Sequence, residues 1–97
     1  MQKNEGYVID TTYPLYFYKE MQPLWLKTIL DVFGLQTINI DQSFSYLELG
    51  CAKGINLIIA ALHYPQGKFV GIDFNQEHIQ SAKKLVQLLD LKNIEFI

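Results

Sequence analysis

Glu48-Leu49-Gly50-Cys51-Ala52-Lys53-Gly54, with Asp73 standing 19 positions after Gly54, holds the residues of this chain best able to do chemistry. Gly50 and Gly54 carry no side chain, so a ligand can lie against bare backbone there. If the turn opens a helix, unpaired N–H groups at that helix start favour an anionic group such as a phosphate or carboxylate. A carboxylate at Asp73 can accept two hydrogen bonds from a ribose diol. Together these residues ask for a ligand with a ribose and a small anionic end.

For that to be one site, the chain must fold as strand, turn, helix and strand. Phe44 to Leu49 is a short apolar run with Tyr46 in it, which suits a strand buried on both faces. Asn56 to His63 is an almost wholly apolar segment, and Tyr64-Pro65-Gln66-Gly67 punctuates it. Lys68 to Asp73 is the second strand, closing on the carboxylate. The resulting βαβ unit has a right-handed connection and brings strand ends and helix start together, where open α/β sheets bind ligands. Asn75 caps a second crossover helix running to about Leu89. Ile79, Ala82, Leu85, Val86 and Leu89 form its buried stripe, with Lys83, Lys84 and Gln87 facing water. Leu91-Lys92-Asn93 turns the chain into a third strand at Ile94 to Ile97.

Two familiar phosphate-binding patterns fail here. The dinucleotide fingerprint G-x-G-x-x-G is broken by Ala52 and by Ile55, and Gly54-Ile55-Asn56 lacks the Lys-Ser/Thr pair of a P-loop. What stands is Glu48-x-Gly50-x-Ala52-x-Gly54, which closely resembles the E/D-x-G-x-G-x-G motif of class I S-adenosylmethionine-dependent methyltransferases, with their strand-end acid at Asp73. The resemblance is specific over Phe44 to Phe74 and coarser beyond. It implies an α/β fold, a Rossmann-like three-layer α/β/α domain, of which this chain supplies the strands ordered 3-2-1 in a seven-stranded sheet. It also implies S-adenosyl-L-methionine as cofactor. Glu48, Gly50, Cys51, Ala52, Lys53 and Gly54 would line its methionine and ribose side, Asp73 would bind the ribose, and Phe74 would lie near the adenine. Asn75 has a weaker claim, being a good helix N-cap. The departure is Ala52 in place of the middle glycine, one methyl group that narrows the turn without removing a donor. The N-terminal half and motif region look similar, more loosely, to bacterial methyltransferases with an appended regulatory domain.

Several residues have plainer readings. Glu48 also fits a partly buried acid satisfied by backbone N–H groups. Cys51 reads as a small residue that fits and not as a nucleophile, because the sequence places no base beside it. Lys53 fits a solvated side chain as well as a ligand contact, and Phe74 fits ordinary packing. His63 and His78 have no metal-ligand company, so each reads as a surface or capping residue, and no metal is expected. No catalytic residue is identifiable.

Upstream, Tyr7 to Lys19 is dense in aromatics. It reads as a hydrophobic strap over a core edge or as a flap on the cofactor, with Tyr13 and Tyr16 the residues to test. Gln22 to Phe33 is a helix opened by Pro23 and stopped at Gly34, with Leu26, Ile29, Leu30 and Phe33 as a core face and Trp25 beside it. Leu35 to Ser43 is a loop. Residues 1–43 thus precede a cofactor-binding βαβαβ unit at 44–97, together forming one partial domain.

The 97 residues are 49% hydrophobic and 19% charged, a globular composition. A net charge of −2 gives no general pull toward nucleic acid. The single cysteine permits no internal disulfide and agrees with a cytoplasmic location. Met1 to Gly6 is polar and unlike a signal peptide, and no apolar run is long enough to span a bilayer.

Without a fourth strand, Phe44 to Leu49 would leave an unpaired edge, which natural sheets avoid. The chain therefore reads as the N-terminal portion of a methyltransferase that acts on an unidentified acceptor and needs the rest of its domain. The competing readings are a non-catalytic nucleoside-binding module and an NAD-binding domain with a degenerate fingerprint.

Overall fold

A computed structural model of the protein describes residues 17–97 and the backbone of residues 3–4 and 7–8. Strands β1 (Lys3–Asn4) and β2 (Tyr7–Val8) pair antiparallel. Tyr13 and Tyr16 lie outside the described residues. A 3-10 turn at Lys19–Met21 leads into helix α1 (Pro23–Val32). Then follow β3 (Phe44–Leu49), α2 (Ile55–His63), β4 (Gly67–Ile72), α3 (Gln76–Leu88) and β5 (Ile94–Phe96).

The three strands form one open sheet in the order β3-β4-β5, each pair parallel. This is the expected α/β arrangement, with β3 at the edge. Parallel strands need crossovers, and the apolar run of α2 and the stripe of Ile79, Ala82, Leu85 and Val86 on α3 provide them; Leu89, expected on that stripe, caps the helix end and is exposed. One core joins Phe44, Phe69 and Phe96 of the sheet to Leu57, Ile58, Ala60 and Ala61 of α2 and to Ile79 and Ala82 of α3. Both helices therefore cover the same sheet face. Phe69 sits at its centre, with the Phe44 ring edge-on at 5.7 Å and the Tyr46 ring tilted at 5.8 Å. Burying each large aliphatic side chain in this layer is worth roughly 1.5–3 kcal/mol.

The opposite face departs from expectation. β3 alternates instead of being buried on both sides: Leu47 is 58% exposed and Leu49 73%. A strand buries both faces only when something covers the second one, and no described element does. The α1 core face is a second correction. Leu26, Ile29, Leu30 and Phe33 are all exposed, and among the described elements α1 packs mainly on the turn before it. Leu26 and Leu30, with Ile38, Phe44 and Tyr46, line a hollow of about 500 Å³ between α1 and the start of β3. Trp25 is likewise partly exposed, with Lys19 Nζ 5.4 Å from its ring centroid. Helix α1 does stop as read: Gly34 takes φ +75° and Leu35 N–H closes back onto the Leu30 carbonyl at 3.0 Å.

Asn75 caps α3 as expected, its side chain accepting from the Glu77 and His78 N–H groups at 3.0 and 3.4 Å. His78 is a third correction: it is 4% exposed and not at the surface. The i, i+4 spacing puts it on the stripe of Ala82, one turn earlier. His63 ends α2 and is exposed. Asn93 closes the far end, its Nδ2 donating to the carbonyls of Ala61, Tyr64 and Gly67 at 3.0–3.2 Å.

Gly71 sets how closely α2 and β5 approach the middle strand. A Cβ there would meet the Phe96 ring at 2.7 Å and Leu57 Cδ2 at 2.9 Å. Gly71→Ala is therefore expected to destabilise the intact protein by about 1–3 kcal/mol, read as a lower denaturant midpoint at unchanged slope.

Candidate functional site

Between β3 and α2 the backbone alternates sign. Gly50, Ala52 and Gly54 have φ of +72°, +52° and +75°, and no other non-glycine residue between them has a positive φ. Only glycine takes this conformation without cost, so Ala52 carries the strain of its methyl group. Such alternation turns successive N–H groups to one side, and the end of β4 takes them up. The Gly50 and Cys51 N–H groups donate to the Ile72 carbonyl at 2.7 and 3.0 Å. The Ala52 N–H donates to Asp73 Oδ2 at 2.7 Å.

Asp73 is thus turned toward the glycine bend. Its other oxygen, Oδ1, accepts from the Asn75 N–H at 2.7 Å, which ties the carboxylate to the start of α3 as well. A carboxylate oxygen can accept more than one hydrogen bond, so both retain acceptor capacity. Phe74, the next residue, is partly exposed beside this carboxylate.

The two glycines differ in what they do. A Cβ built on Gly50 would meet nothing within 4 Å, so its face is open. On Gly54 it would run into the Phe96 ring, so this glycine lets β5 pack against the turn. Gly54 caps α2 in the left-handed conformation without any side-chain cap, leaving the first N–H groups of the helix without intrahelical acceptors. Lys53 between them is half-buried.

Glu48 and Cys51 stand on either side of Gly50. The Glu48 carboxyl is 9% exposed on the helix-covered face of β3. Burial pushes its pKa up from 4.5 to about 7. Burial, then the charges of Asp73 and Glu48, pushes the Cys51 thiol up to about 12, so it stays protonated at neutral pH. That agrees with its reading as a small filler and not a nucleophile. Among the described residues no group of three or more His, Cys, Asp or Glu is placed to hold a metal ion, and no helix is long and apolar enough to cross a membrane.

Sequence reasoning missed a latch on the amino end of α2. Asn56 Oδ1 accepts from the Tyr18 N–H at 2.6 Å, and the Asn56 carbonyl accepts from Gln22 Nε2 at 2.9 Å. The Tyr46 hydroxyl donates to the Met21 carbonyl at 2.7 Å. The signal was present in Asn56 itself, a lone amide heading an otherwise apolar helix.

Residues 40–97 match the family described as "Methyltransferase domain". The chain belongs to this methyltransferase domain family. It is 38% identical over 96 residues to an uncharacterized protein of Synechocystis sp., covering 99% of this chain and 19% of that protein. PKMT2 from Rickettsia typhi, solved in complex with AdoHcy, superposes with a TM-score of 0.79 at 29% identity, over 88% of this chain and 16% of that one. A SAM dependent methyltransferase from Aquifex aeolicus superposes with a TM-score of 0.53 at 28% identity, over 73% of this chain and 36% of its own. The chain spans less than a fifth of the length of the first two of these relatives.

Burial of Glu48 has a pH signature. The folded carboxyl holds its proton up to about 7, whereas an ordinary one releases it near 4.5. The folded state then binds more protons in that window, so stability falls as pH rises through it and is flat above. In the ligand-free intact protein, Glu48→Gln is expected to raise Tm at pH 8 and leave it nearly unchanged at pH 4, measured by thermal unfolding.

Proposed function

We propose that this chain is the S-adenosylmethionine-binding portion of a methyltransferase. One observation carries the reading: Asp73 is drawn by the Ala52 N–H onto the bend whose Gly50 face is open. The residues present suit that cofactor. Asp73 accepts from the two ribose hydroxyls, while Glu48, Gly50, Cys51, Ala52, Lys53 and Gly54 face its methionine and ribose side. Phe74 lies along the adenine, and the α2 amino end offers N–H donors to the carboxylate. AdoHcy bound to PKMT2 and family membership of residues 40–97 support it.

When bound, S-adenosylmethionine supplies a methyl group on a sulfonium, open to displacement by a nucleophilic acceptor atom. The task of this chain's residues is to hold the sugar and the amino-acid end fixed, so that the methyl carbon stands in line with the acceptor. A cytoplasmic location fits the single cysteine.

Calorimetric titration of the intact protein tests the reading. S-adenosylhomocysteine is expected to bind and NAD is not, and Asp73→Ala is expected to lower the first affinity at least tenfold. Equal binding of both ligands, or an unaffected Asp73→Ala variant, would contradict it.

A further inference from the structure

Among the described residues, one buried side-chain polar atom has no hydrogen-bond partner: Gln22 Oε1. Gln22 is 9% exposed. An orphaned acceptor of this kind is destabilising and calls for a physical reason. The orientation of the amide is fixed by its other end. Nε2 donates to the carbonyl of Asn56, the second residue of α2, at 2.9 Å. Oε1 therefore lies one amide width from the first turn of the helix that follows the glycine bend.

The features at this spot make complementary demands. The α2 start presents N–H groups without intrahelical acceptors and attracts an anion. Gln22 Oε1 needs a donor. Met21, its neighbour, is pinned by the hydroxyl of Tyr46, which holds this segment against β3. A ligand end that carries a carboxylate and an ammonium on one carbon satisfies both sides together. A purely anionic end leaves Gln22 orphaned.

We propose that Gln22 Oε1 accepts a hydrogen bond from the ammonium of an α-amino-acid group seated at the amino end of α2. Gln22 is then a specificity-determining residue, selecting ligands whose anionic end also bears an amine. This rests on the cofactor reading above and adds a residue from outside the glycine bend. It also gives the Asn56 latch a purpose, since the latch holds the 18–22 segment where that oxygen is useful.

The test compares S-adenosylhomocysteine with its desamino analogue, in which hydrogen replaces the ammonium, by calorimetry on the intact protein. Wild type is expected to bind the analogue about 10- to 100-fold more weakly, the range for a hydrogen bond to a charged group. Gln22→Leu, similar in size but unable to accept, is expected to lose that factor for S-adenosylhomocysteine and to match wild type for the analogue. Gln22→Glu keeps an acceptor oxygen, though not the Nε2 donor to the Asn56 carbonyl, and the ratio between the two ligands is expected to persist, with thermal unfolding confirming that each variant folds. Equal losses for both ligands, or no loss for either, overturn the assignment. If Gln22→Leu fails to fold, the wild-type ligand ratio and Gln22→Glu decide: no preference in either overturns it. Wild type that binds neither ligand overturns the cofactor reading itself and this proposal with it. Equal affinity of wild type for the two ligands overturns Gln22 alone.

Discussion

The 2.7 Å hydrogen bond from the Ala52 N–H to the Asp73 carboxylate is the contact on which this architecture turns. It joins the bend after the edge strand to the end of the middle strand, and Asn75 extends the tie to the next helix. Hydrogen bonds to an ionised acceptor are worth roughly 1.5–3 kcal/mol, so the pair anchors three elements at one point. The proposed function rests on the same geometry. A carboxylate held by backbone donors is fixed in place, and each of its oxygens retains acceptor capacity. Positioning here comes from backbone donors, which lose little entropy, and not from long side chains.

The bend is shaped by two opposing needs. Gly54 must lack a side chain because Phe96 of the third strand presses against it, while Gly50 is open toward solvent. A loop that serves packing on one side and exposure on the other tolerates little change, and the left-handed Ala52 adds strain between them. The buried Glu48 adds a cost of its own, reflected in a pKa near 7. Costs of this kind gather where a ligand binds. By contrast, the exposed Leu47 and Leu49 reflect a sheet face that no described element covers.

Much of this was legible because it is local. Gly50, Gly54 and Asp73 announce a turn and its carboxylate by spacing alone, and Asn75 announces a cap by type and position. The crossover helices follow from apolar run and stripe. What escaped depends on partners distant in sequence. Phe96 against Gly54, Tyr18 and Gln22 against Asn56, and the uncovered side of β3 are set by tertiary packing that periodicity does not carry. His78 shows the same limit in miniature: its type reads as surface, and its place one turn before Ala82 decides otherwise. The apolar residues of α1 mark a face, and nothing in their spacing says what they meet.

A crystal structure of the intact protein bound to S-adenosylhomocysteine examines the central tie most directly. The ribose hydroxyls are expected within hydrogen-bond distance of the Asp73 carboxylate, with the Ala52 N–H still donating to Oδ2. A ligand seated elsewhere, or an Asp73 side chain released from the bend and pointing to solvent, would contradict the account.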